Sequence, residues 1–461
     1  MRPAEFVLLV VTVVGVVRPA TSLVVRRSIA WPVAAAATIA AVAHLTVEGA
    51  RWQLTPLYLA AAVVLLISLA DAVRPPNAAS GRVGWLLLGA LAATGGVLGW
   101  ALPVPALPAP TGPQPVGTTV VSLTDPERRA GYGAEPGGAR ELALQVWYPA
   151  DPQEPVAPGA WVPAGARFGR QAAAWLGMPS FVLDHVGLVR GHATDDVAAS
   201  PEPGPLPVVV YSHGWGGFRT IQSGLAEDLA SRGYVVAALD HTHGAVATAF
   251  PDGQVVPIDP AALPSETGPE IYDAAAERLV ATFAADVAFA LDELDAGAVP
   301  MLAGRLDLDA VGIVGHSTGG GAAVRFCAED RRCGAVVGFD PWVEPVPDDI
   351  LGHGLDVPFL ALRSEEWVGN DNDARLRRLR ASSNGPSGLV AVAGTTHRDV
   401  TLLPFLSPLS HRLGLAGVTP GERTHALTTE WTAAWLDHHL RGALRDPLLD
   451  PPAYREAQVD G

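Results

Sequence analysis

Residues 311–323 read VGIVGHSTGGGAA and contain Gly315-His316-Ser317-Thr318-Gly319, a G-x-S-x-G pattern. A serine so placed can act as a nucleophile when a sharp strand-to-helix turn lifts its hydroxyl clear of the backbone. With 49 glycines in 461 residues, the pattern alone is equally well a glycine-rich turn, so the flanks decide. Residues 310–314 are a short β-branched apolar run, as a buried parallel strand requires. Residues 319–329 (GGGAAVRFCAE) begin with small side chains, which a tight turn needs, and continue with helical character. The context favours a nucleophile at Ser317, and a nucleophilic serine implies further groups.

A hydroxyl attacks only when a base removes its proton. In the chain order Ser, acid, His, six histidines follow Ser317: His353, His397, His411, His425, His438 and His439. His438 and His439 lie inside the last expected helix, His425 opens it, and His353 precedes a strand. His397, in VAVAGTTHRD, comes just after a strand's carboxyl end and is the candidate base. The acid that orients it is Asp340, in AVVGFDPW, or one of Glu365 and Glu366, in FLALRSEEW. Asp340 is favoured because it follows its strand without a gap and Pro341 forces an extended exit. The developing oxyanion needs two backbone N–H donors. Thr318, next to the nucleophile, supplies one. The loop Ser212-His213-Gly214-Trp215-Gly216-Gly217, after an apolar run at 207–211, supplies the other through the Trp215 N–H.

The stretches YSHGWGGFRT, GHSTGG, FDPW and GTTHRD, spread over residues 142–408, resemble the plasma type of platelet-activating-factor acetylhydrolase and its bacterial relatives. The resemblance implies an oxyanion loop, a nucleophile elbow, a triad aspartate at Asp340 and a triad histidine at His397. It further implies a lipase-like serine esterase that removes short or oxidised acyl chains without calcium. Trp215 and Thr318 depart from the residues usual in that family. Both line the acyl side of the site, so acyl preference does not carry over.

These residues need a scaffold. Apolar runs at 142–148, 207–211, 235–239, 310–314, 335–339, 358–362 and 389–393 read as buried strands. Helical patterns at 220–231, 272–294, 319–329, 373–382 and 424–439 lie between and after them. The alternation predicts a mainly parallel sheet covered by helices on both faces. With the Ser, acid, His order and the family resemblance, the fold expected is that of an α/β-hydrolase. Catalytic residues then gather at the carboxyl ends of the strands.

The first hundred residues have a different character. Mean hydropathy is +0.25, and the excess lies in apolar runs at 6–17, 29–47, 54–73 and 83–102. The last three are long enough to cross a bilayer as helices, so three or four transmembrane helices are expected over 1–102. A Pro-rich linker is expected over 103–139, then the catalytic domain over 140–461. Arg18, Arg26 and Arg27 follow the first run, Arg74 and Arg82 separate the third and fourth, and Arg51 stands alone beside Glu48. Arginine excess marks the cytoplasmic side. The expectation is a multi-pass cell-membrane protein with its catalytic domain extracytoplasmic. The net charge of −16 argues against nucleic acid as a partner. The substrate class expected is a small acyl ester or a phospholipid-like ester. The alternatives are another acyl bond (amide, thioester or polyester), or a non-catalytic domain in a membrane assembly.

Three weaker signals remain. Asp240-His241-Thr242-His243 has zinc-like histidine spacing without a supporting ligand nearby, so no metal or cofactor is expected. Residues 168–188 are apolar and aromatic and suit a lid, an interfacial helix or a packed insertion. Cys327 and Cys333, the only two cysteines, are spaced to form a disulfide, which an oxidising compartment would favour.

Overall fold

The computed structural model describes residues 1–18, 23–73, 82–133, 137–202 and 204–460. The N-terminal bundle comprises α1 (Pro3–Val17), α2 (Leu23–Ser28), α3 (Ala30–Ala43), α4 (Thr55–Val73) and α5 (Arg82–Ala101). Ala30–Glu48, Trp52–Val73 and Val83–Ala101 are long and apolar enough to cross a membrane, at 19, 22 and 19 residues. At 1.5 Å per residue they measure about 28–33 Å, the thickness of a hydrocarbon core. α1 has 15 residues and reaches only about 22 Å. At one end of the bundle Arg18 and Arg26 meet Asp71 at 2.8 and 3.0 Å. At the other, Arg51 meets Glu5 at 2.7 Å and donates to the carbonyls of Gly99 and Leu102. Glu5, His44 and Glu48 converge at this second end. Arg51 and Arg2 bind Glu5, His44 bonds Tyr58 and Glu48, and the Ala4 N–H bonds Glu48, so the cluster's own pairs account for it. Arg74 lies outside the described residues.

The rest of the chain is built on a sheet. Its strands, with one small hairpin, are β1 (Val116–Arg129), β2 (Ala139–Pro149), β3 (Pro158–Ala160), β4 (Arg190–Asp195), β5 (Leu206–Ser212), β6 (Val235–Asp240), the hairpin β7 (Ala247–Ala249) and β8 (Val255–Pro257), then β9 (Leu306–His316), β10 (Cys333–Phe339), β11 (Phe359–Ser364), β12 (Ser387–Val392) and β13 (Ala457–Val459). The sheet has eleven strands in the order β13-β12-β11-β10-β9-β5-β6-β2-β1-β4-β3. From β12 to β6 every neighbour is parallel, while β2 pairs antiparallel with both β6 and β1. The helices are α6 (Ala166–Trp175), α7 (Ser223–Ser231), α8 (Pro269–Asp295), α9 (Thr318–Glu329), α10 (Asp348–His353), α11 (Asp371–Ser382) and α12 (Gly421–Arg441). Period two divides the strand residues between two cores. Val208 and Val210 of β5 pack with Phe283 and Val287 of α8, whereas Val209 and Tyr211 pack with Leu225 of α7 and Trp431 and Trp435 of α12. This is the α/β-hydrolase architecture, and all seven expected strands fall within it.

The expected linker differs from what is observed. Residues 116–129 form β1, which pairs with β2 from Val116↔Pro149 onward. Its VGTTVVSLT pattern mixes polar and apolar residues because β1 lies toward the sheet's edge, and so it does not read as a buried run. The Pro-rich stretch before it packs on α7. Leu107 is buried, the Thr111 N–H donates to Asp228 at 2.7 Å, and the Gly112 N–H donates to Ser231 Oγ at 2.9 Å.

Cys327, on α9, and Cys333, at the start of β10, form a disulfide with their Cα atoms 5.1 Å apart. It ties the helix that follows Ser317 to the strand that leads to Asp340. Non-reducing peptide mass spectrometry of protein isolated from its native cells should recover the bonded 327–333 pair. Reduction should lower stability toward denaturant by up to about 2–3 kcal/mol. Two free thiols in native protein would contradict this.

Candidate active site

β9 ends at His316, and α9 begins at Thr318. Ser317 alone makes the turn, at φ 53° and ψ −119°. A non-glycine residue there costs about 1–3 kcal/mol and persists only where its surroundings enforce it. Here the enforcement is backbone. The Ser317 N–H donates to Phe339 O at 3.0 Å, and its carbonyl accepts from Gly321 N–H at 3.0 Å and Trp342 N–H at 2.9 Å. The glycines make room for these contacts. A Cβ on Gly319 would lie 2.1 Å from Ser212 O, one on Gly320 2.6 Å from Pro341 Cα, and one on Gly321 2.1 Å from Trp342 O.

Asp340 follows β10 at φ 40° and is fully buried. Its carboxylate accepts from the Ser364 N–H at 2.7 Å and from Ser364 Oγ at 2.6 Å. Its Oδ2 also lies 3.0 Å from His397 Nδ1. A carboxylate only accepts, so Nδ1 carries the ring proton and Nε2 presents a lone pair. The His397 ring stacks on Trp367 at 4.4 Å between centroids, with 7° between the planes. His316 Nε2–H donates to the His397 carbonyl at 3.0 Å, which places the residue next to Ser317 against the histidine loop. Burial, and then the nearby His397, hold His316 well below the ordinary histidine range. It is therefore a neutral donor. Among the described residues no hydrogen bond joins the Ser317 hydroxyl to His397, and such contacts commonly tighten only on substrate binding.

Glu365 and Glu366, the rival acids, serve the loop's backbone. Glu365 accepts from the Gly394 N–H at 2.5 Å and Glu366 from the His397 N–H at 2.8 Å. Neither bonds to the imidazole. The oxyanion candidates are adjacent. The Trp215 N–H meets Thr318 Oγ1 at 3.3 Å, and a Cβ on Gly214 would lie 2.9 Å from Ser317 Cβ. His241 and His243, the zinc-like pair, diverge. His241 bonds Ser212 and Asp286, while His243 Nδ1 lies 3.4 Å from Pro257 O.

Sequence reasoning missed several supports. Ser364 and Trp367 carried no motif. Arg219, in the FRT that follows the 212–217 loop, is buried against Asp240 and donates to Ala249 O at 2.9 Å. Asp286 did leave a signal, as an acid within the apolar face of α8 formed by Leu279, Phe283, Val287 and Ala290. The 168–188 segment forms α6 and a 3-10 turn at Asp184–Leu188. Trp175 of α6 meets the Trp215 ring edge-on at 6.2 Å. Farther along, Phe181 meets Trp52 of the bundle at 5.2 Å, and Trp52 Nε1 donates to Val182 O at 3.1 Å. The segment thus bridges the helical bundle and the 212–217 loop.

The sheet order and the elbow at its centre define an α/β-hydrolase. Residues 103–259 and 291–444 match the model of the family described as platelet-activating factor acetylhydrolase, isoform II. The chain belongs to that family and is an ester-hydrolysing enzyme. It is similar to the platelet-activating factor acetylhydrolase of Bos taurus, 25% identical over 328 residues, covering 64% of this chain and 71% of the relative. The enzyme of the same name from Cavia porcellus is 26% identical over 255 residues, 51% of this chain and 57% of that one. Among solved structures, a ferulic acid esterase from Streptomyces cinnamoneus superposes with a TM-score of 0.65 at 30% identity, covering 77% of this chain and 99% of its own.

A helix glycine replaced by alanine ordinarily gains about 1 kcal/mol. Gly319→Ala should do the reverse, because its Cβ would meet the Ser212 carbonyl. The expected outcome is a loss of about 1–3 kcal/mol together with reduced turnover, read by thermal unfolding and ester hydrolysis. A variant as stable and active as wild type would show that β5 and α9 do not approach as described.

Proposed function

We propose that the protein is a membrane-anchored serine ester hydrolase with Ser317 as nucleophile, His397 as base and Asp340 as the orienting acid. The observation that carries this reading is the Asp340 carboxylate. It is shared between Ser364 and His397 Nδ1, beside a serine held in the strained elbow conformation. His397 Nε2 takes the Ser317 proton as Oγ bonds to the ester carbonyl carbon. The N–H groups of Trp215 and Thr318 receive the oxyanion. The carbon–alkoxy bond breaks, and His397 returns the proton to the leaving alcohol. Water, deprotonated by the same nitrogen, cleaves the acyl-enzyme and frees Ser317.

The bundle at 1–102 serves as the membrane anchor, and the catalytic unit follows from 103 and includes β1. Three long apolar helices support the anchor. The arginines near Asp71, at the end of the bundle away from Leu102, support an extracytoplasmic catalytic unit. The substrates are small acyl or phospholipid-like esters. The named activities of the relatives support this class, and the Trp175–Trp215 pair beside the oxyanion loop suits an apolar or aromatic acyl group.

Ser317→Ala and His397→Ala should each lower turnover of p-nitrophenyl esters by on the order of 10⁴ or more, since the two act as a unit. Asp340→Asn should cost roughly 10⁴ by leaving the wrong tautomer, and Glu365→Gln and Glu366→Gln far less. A fluorophosphonate should label wild type at Ser317. Full activity in Ser317→Ala, or a larger loss from Glu366→Gln than from Asp340→Asn, would refute the assignment.

A further inference from the structure

Behind the oxyanion loop stands a second Ser, His and Asp in hydrogen-bonded order. Ser212 Oγ lies 2.8 Å from His241 Nε2, and His241 Nδ1 lies 2.9 Å from Asp286 Oδ2. All three are fully buried, so none can meet a substrate. Asp286 also accepts from Arg140 Nε at 2.6 Å and Arg128 Nη1 at 2.7 Å. Burial would raise its pKa, but Arg140 and then His241 outweigh that and hold it well below the usual carboxylate range. His241 is pinned at both ring nitrogens, and its face stacks on Phe283 at 3.7 Å and 10°.

What this array holds in place is a backbone donor. The His241 N–H points at His213 Nε2, 3.2 Å away. An amide N–H only donates, so Nε2 accepts and the His213 proton sits on Nδ1. Nδ1–H in turn donates to Gly214 O at 2.7 Å, and the Gly217 N–H donates to the same oxygen at 2.8 Å. The Gly214 carbonyl and the Trp215 N–H belong to one planar trans peptide and point in opposite directions. Holding the carbonyl toward His213 therefore turns the Trp215 N–H toward Ser317 and Thr318, where it meets Thr318 Oγ1. With glycine at 214, no side chain restricts the other orientation of this peptide.

We propose that His213, held by His241 with Ser212 and Asp286, is a positioning residue that locks the Gly214–Trp215 peptide so that the Trp215 N–H faces the oxyanion. The inference rests on the reading of Trp215 as an oxyanion donor. The state of the ring agrees with it. Burial, and then the neighbouring His241, hold His213 well below the ordinary histidine range, so it keeps one neutral tautomer.

The test uses the full-length protein in detergent, with kcat normalised by fluorophosphonate titration of Ser317. His213→Asn keeps an N–H donor near the position of Nδ1. His213→Gln moves its amide outward, and His213→Leu removes it. Gln and Leu should lower kcat by about 10²-fold, the scale of one lost oxyanion donor, and leave KM within about threefold. Asn should recover at least about tenfold of that loss. Affinity for a trifluoromethyl ketone, whose hemiketal bears the oxyanion, should fall in parallel with kcat. Equal kcat in the Asn, Gln and Leu variants would overturn the proposal, as would a loss confined to KM. If the Leu variant does not fold, the Asn–Gln comparison decides. Failure of the underlying reading shows separately, as an active Ser317→Ala or the absence of label at Ser317.

Discussion

Four stretches of backbone meet around Ser317 at distances that leave no room for a Cβ. Ser212 and His213 press on Gly319, Pro341 on Gly320, Trp342 on Gly321, and the α9 backbone itself on Gly315. The hydroxyl can stand at the carboxyl edge of the sheet only because β5, β9 and β10 converge here without side chains between them. The same convergence places the 212–217 loop after β5 and Asp340 after β10 within reach of the elbow. The positive φ values of Ser317 and Asp340 are two local costs of this one packing constraint, and neighbouring peptides accept the N–H of both and donate to the Ser317 carbonyl.

Two histidine–carboxylate pairs lie close to this point, and their surroundings separate their roles. His397 is bound at one ring nitrogen, and its side chain is 26% exposed. His241 is bound at both ring nitrogens and sealed. A base needs an unoccupied lone pair and access to substrate, and only His397 has both. Shared motif chemistry therefore says less than the second ring nitrogen does.

The strands that carry the site were legible because both of their faces are buried. Double burial writes a continuous apolar run, as in PVVVY and AVVGF, and places the candidate residues just beyond its end. The sheet's edges were not legible. β1, β3, β4 and β13 have polar or solvent-facing neighbours and follow no simple run. Ser364 and Trp367 were missed for a different reason. Ser364 depends on β11 lying beside β10, and Trp367 on β11 lying beside β12, which are registers across the sheet rather than local patterns. Asp286 lies outside both explanations, since an acid in an apolar helical stripe demands a partner, and its partners, Arg140 and His241, are far away in sequence.

The bundle is joined to the catalytic unit by more than the chain. Trp52 donates to Val182 O, Ser407 Oγ donates to Ala101 O, and the Pro-rich stretch is bonded to α7. A freely jointed tether of similar length would let a catalytic unit sweep a hemisphere of tens of ångströms. Here that reach collapses to a fixed height and tilt. With the bundle seated in a bilayer as proposed, the site would sample a thin slab parallel to the surface. Its encounter rate would then follow the two-dimensional density of ester at that depth rather than the bulk concentration.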